Sequence, residues 1–219
     1  MPVTVHVWRV PRRRVGVAMF RLAFPGPHRA RFAKFLGTAD GVGPTDADLT
    51  RYAAVTVSDR PVVLHHWDTL AVKKARIDIT PLSSRGSWSG REPFAVTNRE
   101  SEGRKFEGMV LALTRARLRP TRAPAFWKAI APVAQEVDQA PGLLAHFGIG
   151  EAPLGFQGTI SVWREAADLA RFAYRQPEHR AVIARTPTDG WYAEELFARF
   201  AVDDISGDRE VLGWTAREA

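Results

Sequence analysis

Thr97 to Gly108 reads TNRESEGRKFEG, a stretch that is polar, charged and almost without large apolar side chains. Such a composition marks a connector between packed units, and here it divides the 219-residue chain almost equally. The two halves, 1–100 and 108–219, each read as strand, helix, strand, strand, helix, strand, the order of a ferredoxin-like unit. Two such units side by side close into the barrel that other proteins assemble from a pair of subunits. The expected fold class is therefore α+β, a ferredoxin-like dimeric α+β barrel formed by two related halves within one chain. With 45% hydrophobic residues, the chain has enough apolar material for one compact core.

Working outward, Gly108 to Arg119 (GMVLALTRARLR) is a strand candidate that ends at Pro120, which cannot donate to a ladder. Phe126, Trp127, Ile130, Val133 and Val137 then recur at helical spacing, with a stop near Pro141 and Gly142. Leu143 to Gly150 and Gly158 to Trp163 read as short strands. A second helix starts near Ala166 and breaks before Pro177, and Trp191 to Val202 fits helix or strand. In the first half, Val15 to Phe24 reads as a strand, His28 to Leu36 as a helix, and Tyr52 to Ser58 and Ala75 to Pro81 as strands. Val62 to Leu70 has no clear period.

Composition removes several classes of function. There are no cysteines, so disulfides, thiolate ligation, iron–sulfur clusters and cysteine nucleophiles are absent, and any metal must be held by other side chains. The net charge of +7 comes mainly from 26 arginines against five lysines. They run along the chain without the aromatic interleaving of a nucleic-acid groove, so no nucleic-acid partner is expected. The guanidinium fork suits carboxylates instead. The longest apolar run, Val15 to Phe24, contains Arg21 and falls short of the roughly 20 residues of a membrane span. Arg12, Arg13 and Arg14 lack the h-region and cleavage site of an export signal, and a cytoplasmic location is the expectation. No P-loop, GxSxG, HExxH or GxGxxG motif is present.

Histidine is where chemistry could reside. Of six, His6 and His28 read as surface residues, adjacent His65 and His66 point in different directions, and His146 falls on a strand that could line the barrel. His179, in PEHRAVIAR, has Val182 and Ile183 at i+3 and i+4, which turns its imidazole towards an apolar interior. That geometry suits a proximal haem ligand, and equally a core-edge histidine bonded to a carbonyl. Arg115, Arg117 and Arg119 alternate along one strand and share a face. Facing inward they would need an anion, such as a haem propionate or a bound oxygen species; facing outward they are an ordinary solvated edge.

Several stretches carry a resemblance: PLSSRGSWSGREPF (Pro81 to Phe94), LTRARLRP (Leu113 to Pro120) with Phe126 and Trp127, PGLLAHFGIGEAPLGFQGTISVW, the FAY and His179 segment, and GWYAEELFARF ending at Phe200. In this order they resemble the spheroidene monooxygenase family, carotenoid ketolases similar to haem-containing dimeric α+β barrel proteins. The resemblance implies heme b as cofactor, dioxygen as oxidant, a hydrophobic small-molecule substrate, and an electron donor such as a ferredoxin. His179 falls at the family's histidine position, as iron ligand. The resemblance casts Arg115, Gln157, Ser161 and Trp163 as catalytic, and Arg85, Arg91 and Arg119 as cofactor-binding. Arg117 replaces a neutral residue, and a homodimer is compatible. Three alternatives stand beside this reading: haem chemistry like that of aldoxime dehydratases, with substrate bound directly to iron; a cofactor-free barrel that binds a small molecule; and a nucleic-acid binder, whose affinity would fall steeply with salt.

Overall fold

Val3, Val5 and Val7 alternate with Thr4, His6 and Trp8, and this β-branched, period-two pattern forms the first strand, β1 (Val3–Arg9). The computed structural model describes residues 2–26, 28–41, 46–60, 62–94, 96, 106–137, 139–151, 156–175 and 190–214. After β1 come α1 (Val15–Ala23), β2 (Phe32–Ala39), β3 (Ala47–Val57), α2 (His65–Asp68) and β4 (Lys73–Gly86). The second half repeats the order with β5 (Val110–Leu118), α3 (Ala123–Val137), β6 (Leu143–Gly150), β7 (Phe156–Trp163), α4 (Ala166–Arg175) and β8 (Tyr192–Gly207). Most of the connector, residues 97–105, lies outside the described residues.

The strands close into one barrel in the order β1-β3-β2-β6-β7-β5-β8-β4. The first half supplies β4-β1-β3-β2 and the second β8-β5-β7-β6, so each contributes the same four-stranded antiparallel order. Two seams join them. β4 and β8 pair from Ala75↔Gly207 to Gly86↔Leu196, whereas β2 and β6 share only Gly37↔Gly150 to Ala39↔Gly148. Alternation sends one face of every strand inward, where Val5, Val55, Ile77, Leu113, Phe147, Ile160 and Phe200 fill the barrel. The other faces are covered by α1 and α2 on one side and by α3 and α4 on the other.

Three sequence expectations change. Val15 to Phe24 is helix, and the strand that opens the first half is β1. The run is apolar on every side, so its period does not distinguish strand from helix. His28 to Leu36 is not helical but leads into β2. Phe32, Phe35 and Leu36 fit i, i+3, i+4, yet Phe32 and Leu36 face the barrel while Phe35 packs outside it. Pairing to β3 overrides the local pattern. The ambiguous tail is strand, β8, because it closes the barrel between β4 and β5.

Candidate active site

The outward-facing residues of β5 to β8 form a floor whose rows follow the ladder. One row runs Arg199, Ala112, Ser161, His146; the next runs Phe197, Thr114, Thr159, Gly148; the third runs Glu195, Ala116, Gln157. Its centre is made of small side chains, and the hydroxyls of Thr114 and Thr159 are satisfied by each other at 2.7 Å. Above it, α3 contributes Phe126, Ile130 and Val137 and α4 contributes Leu169, Phe172, Ala173 and Tyr174. Between floor and roof lies a cavity of about 1150 Å³ that continues to Met19, Leu22 and Ala23 of α1. This is at or above the roughly 300–1,000 Å³ usual for small-ligand sites. Its walls are mainly apolar, with a few polar groups on the floor.

Ser161 and Trp163 are both buried, and Trp163 Nε1 donates to Ser161 Oγ at 2.9 Å. A hydroxyl has one proton and two lone pairs, so Ser161 retains a donor while Trp163 orients it. Trp163 packs against Phe172 of the roof at 5.3 Å between ring centroids. Gln157 and His146 line the same cavity. At one rim, the Arg85 guanidinium sits 4.6 Å from the Phe197 ring centroid. Arg199 donates to Tyr174 Oη at 3.2 Å, linking floor to roof.

Behind the floor, residues from four of the family-like stretches meet Lys34 in one ion network. Arg115 follows Leu111 and Leu113 on the barrel-facing side of β5 and is 4% exposed. Its Nη2 donates to Glu151 Oε2 at 2.7 Å, and its Nη1 pairs with Glu194. Glu151 also accepts from Lys34 Nζ at 2.7 Å and Trp88 Nε1 at 2.8 Å. Glu194 accepts from the Gly90 amide at 2.7 Å and the Ser89 amide at 3.2 Å. Ser89 (φ 54°) and Gly90 (φ 69°) are left-handed, and this turn is what aims both amides at one carboxylate. Gly86 is also required: its φ is +88° and a Cβ would lie 2.1 Å from Glu195 O. Trp88 and Phe94 plug the barrel end against Phe32 and Phe200. Burial raises the Glu194 carboxyl, but the two amides and Arg115 outweigh it and hold the group down to about 2. Glu151 is likewise lowered, burial being outweighed by its bonds to Lys34, Arg115 and Trp88.

Of the residues singled out from sequence, Gln157, Ser161, Trp163 and Arg85 come together around the cavity. Arg115 borders it with its guanidinium committed to the two glutamates. Arg91 and Arg119 do not line it. Arg91 closes a bridge with Trp88 through backbone groups, and Arg119 is exposed, its Nε donating to Tyr192 O at 3.1 Å. Arg117 is exposed as well. His179, expected as the metal ligand, lies outside the described residues. His6 is not a surface residue: it is 6% exposed, stacked on Trp8 at 5.5 Å. Burial first, and the Arg76 charge second, lower its pKa to about 4. Sequence reasoning missed Glu151, Glu194 and Lys34 as a unit, since pairing among them depends on which strand ends the barrel brings together.

No family model matches the chain. Among curated proteins, it is 34% identical over 190 residues to the spheroidene monooxygenase of Rhodobacter capsulatus, covering 82% of this chain and 78% of the relative. It is 35% identical over 193 residues to the Rubrivivax gelatinosus spheroidene monooxygenase, covering 83% and 72%. The chain belongs to the spheroidene monooxygenase family. Family membership makes it a monooxygenase, an enzyme of the oxidoreductase class. Among solved structures, aldoxime dehydratase superimposes with a TM-score of 0.57 at 12% identity, over 93% of this chain and 81% of that one. That likeness concerns the fold, a mixed α+β barrel of eight antiparallel strands.

Proposed function

We propose that this member of the spheroidene monooxygenase family inserts oxygen into a carotenoid, a long apolar polyene, and that heme b held between the β5–β8 floor and the α3–α4 roof is its cofactor. The observation that carries the reading is the cavity itself, of about 1150 Å³ and with mainly apolar walls, over a floor of small residues. The small side chains of Ala112, Thr114, Ala116 and Gly148 would leave room on the floor for a flat macrocycle. Among the described residues, no three His, Cys, Asp or Glu side chains gather as a bare ion would need, whereas haem asks the protein for a single axial ligand. His179 is the candidate for that ligand. It follows four residues after the end of α4, which supplies the roof. Arg85 and Arg199, at the rim, carry the charge that two propionates would need.

Haem bound here would supply a redox iron at which dioxygen is reduced with electrons from an external donor such as a ferredoxin. The chain's own residues do the rest. Ser161, held by Trp163, offers a hydroxyl proton to a ligand on the floor, and Gln157 offers a second polar contact two rows away. Phe126, Ile130, Leu169 and Phe172 bind the polyene and exclude water. Arg115 acts as a positioning residue: it ties β5 to the ends of β6 and β8 from the side that packs the barrel.

The test is the absorption spectrum of protein reconstituted with haemin, beside His179→Ala and His146→Ala. The wild type and His146→Ala should show the same Soret band, and His179→Ala should lose or shift it. An unchanged spectrum in His179→Ala overturns the ligand assignment, and carotenoid turnover under strict anaerobiosis overturns the oxygenase assignment.

A further inference from the structure

From Met1 to Ala39 the chain contains eight arginines and lysines and no aspartate or glutamate; the first carboxylate is Asp40. Within this stretch α1 presents Val17 and Phe20 at i and i+3, and Phe24, which caps the end of the helix, extends the same apolar patch. Their exposures are 47%, 64% and 66%, and the two phenyl rings lie 5.1 Å apart. Arg12 and Arg13 are exposed just before the helix, and Arg29 just after it. Arg14 is different: its Nη1 donates to Thr69 O at 2.7 Å and fixes the start of α1 to the body of the protein.

We propose that this face of α1 docks on an anionic lipid bilayer. Nine residues are far too few to cross a membrane, but apolar rings flanked by arginines are what an interfacial helix presents to headgroups and acyl chains. Arg9, Arg31 and Lys34 of the run are paired with Asp48, Asp59 and Glu151, and the matching charge comes from the exposed Arg12, Arg13 and Arg29. The patch is also continuous with the cavity, because Met19, Leu22 and Ala23, on the neighbouring faces of the same helix, line it. A bilayer held against Phe20 and Phe24 therefore lies beside the entrance through which an apolar polyene would pass. A second copy of the chain fits less well: a twofold contact through this patch would bring the Arg12, Arg13 and Arg29 side chains of two copies together whether the helices cross parallel or antiparallel, and like charges repel. The proposal takes its motive from the carotenoid reading.

The experiment is flotation of the whole protein with phosphatidylcholine vesicles and with vesicles that also contain phosphatidylglycerol, at low and high salt. No substrate, haem or oxidant is added, so docking is judged apart from the oxygenase assignment. Wild type should float with the anionic vesicles, roughly tenfold more weakly with neutral ones, and less as salt rises. Phe20→Ser/Phe24→Ser should lose about tenfold in binding while keeping the wild-type circular dichroism and melting temperature. Arg12→Ser/Arg13→Ser should bind severalfold more weakly with a shallower salt dependence. Equal binding to both vesicle types, or none, overturns the proposal. So does a vesicle-free wild-type dimer that the double Phe variant converts to monomer, since the patch would then be covered by a second copy.

Discussion

Two halves with the same strand order treat the space beneath their helices in opposite ways. Under α1 and α2 the outer face is packed with aromatic rings: Trp67 meets Trp8 at 5.2 Å, Tyr52 at 5.5 Å and Phe35 at 6.0 Å. Under α3 and α4 the strands carry Ala112, Thr114, Ala116, Gly148 and Ser161, and the space stays open. Helix length follows the same division, with four residues in α2 against ten in α4. One half serves as a filled support, while the other has given up the packing energy of a filled interior for room to bind. The hollow half is braced from the barrel side by Arg115 and Glu194, on β5 and β8, and by Glu151 just past the end of β6.

Filling the hollow half should have the largest effect. Ala112→Trp places an indole at the centre of the floor and should cut turnover by at least about a hundredfold, with an overpacking cost of only about 1–3 kcal/mol; steady-state kinetics and a melting curve separate the two.

Emptying the filled half should be as costly to stability as filling the other is to function. Trp67→Ala should lose about 3–5 kcal/mol, with turnover per folded molecule unchanged. His6 provides a milder probe of the same half. Folded His6 titrates near 4 and the unfolded group near 6.5, so between these values the unfolded chain binds more protons and stability rises with pH. The contribution is fully present above pH 6.5 and is lost as pH falls to 4, by roughly 3 kcal/mol; His6→Gln should flatten that part of the profile. Next is the brace. Arg115→Ala leaves two partly buried carboxylates without their shared cation and should cost about 2–3 kcal/mol in denaturant unfolding, less than a fully buried pair because each keeps other donors. Arg115→Ala/Glu194→Gln should recover part of it, because one uncompensated charge is removed. Smallest of all, Arg117→Ala, exposed beyond the brace, should stay within about 0.5 kcal/mol of wild type.

Much of the second half was readable in the chain. Pro120, Pro141 and Gly142 bound elements cleanly, and Gly158 to Trp163 has a strand's length and composition. The first half misled because its short apolar runs satisfy two periods at once: Phe32, Phe35 and Leu36 fit a helix until β3 claims them. Gln157, Ser161 and Trp163 share parity on one strand, so their meeting at one site followed from alternation. The alternation of the arginine triplet holds for its first two members only: Arg115 and Arg117 share parity on β5, Arg115 buried and Arg117 exposed, whereas Arg119 lies past the end of that strand and is exposed.

What the sequence determined alone was local and compositional: most elements of the second half, a chain without cysteine, and motifs specific enough to point to a family. What only the tertiary structure decided was which side of each strand is covered, and by what. Ser161 and Val162 are neighbours in sequence, yet one faces a cavity and the other a packed interior. Arg115, Glu151 and Glu194 come from three distant segments and make a single network. Neither fact resides in any one segment, because the burial of a face is a property of what packs against it.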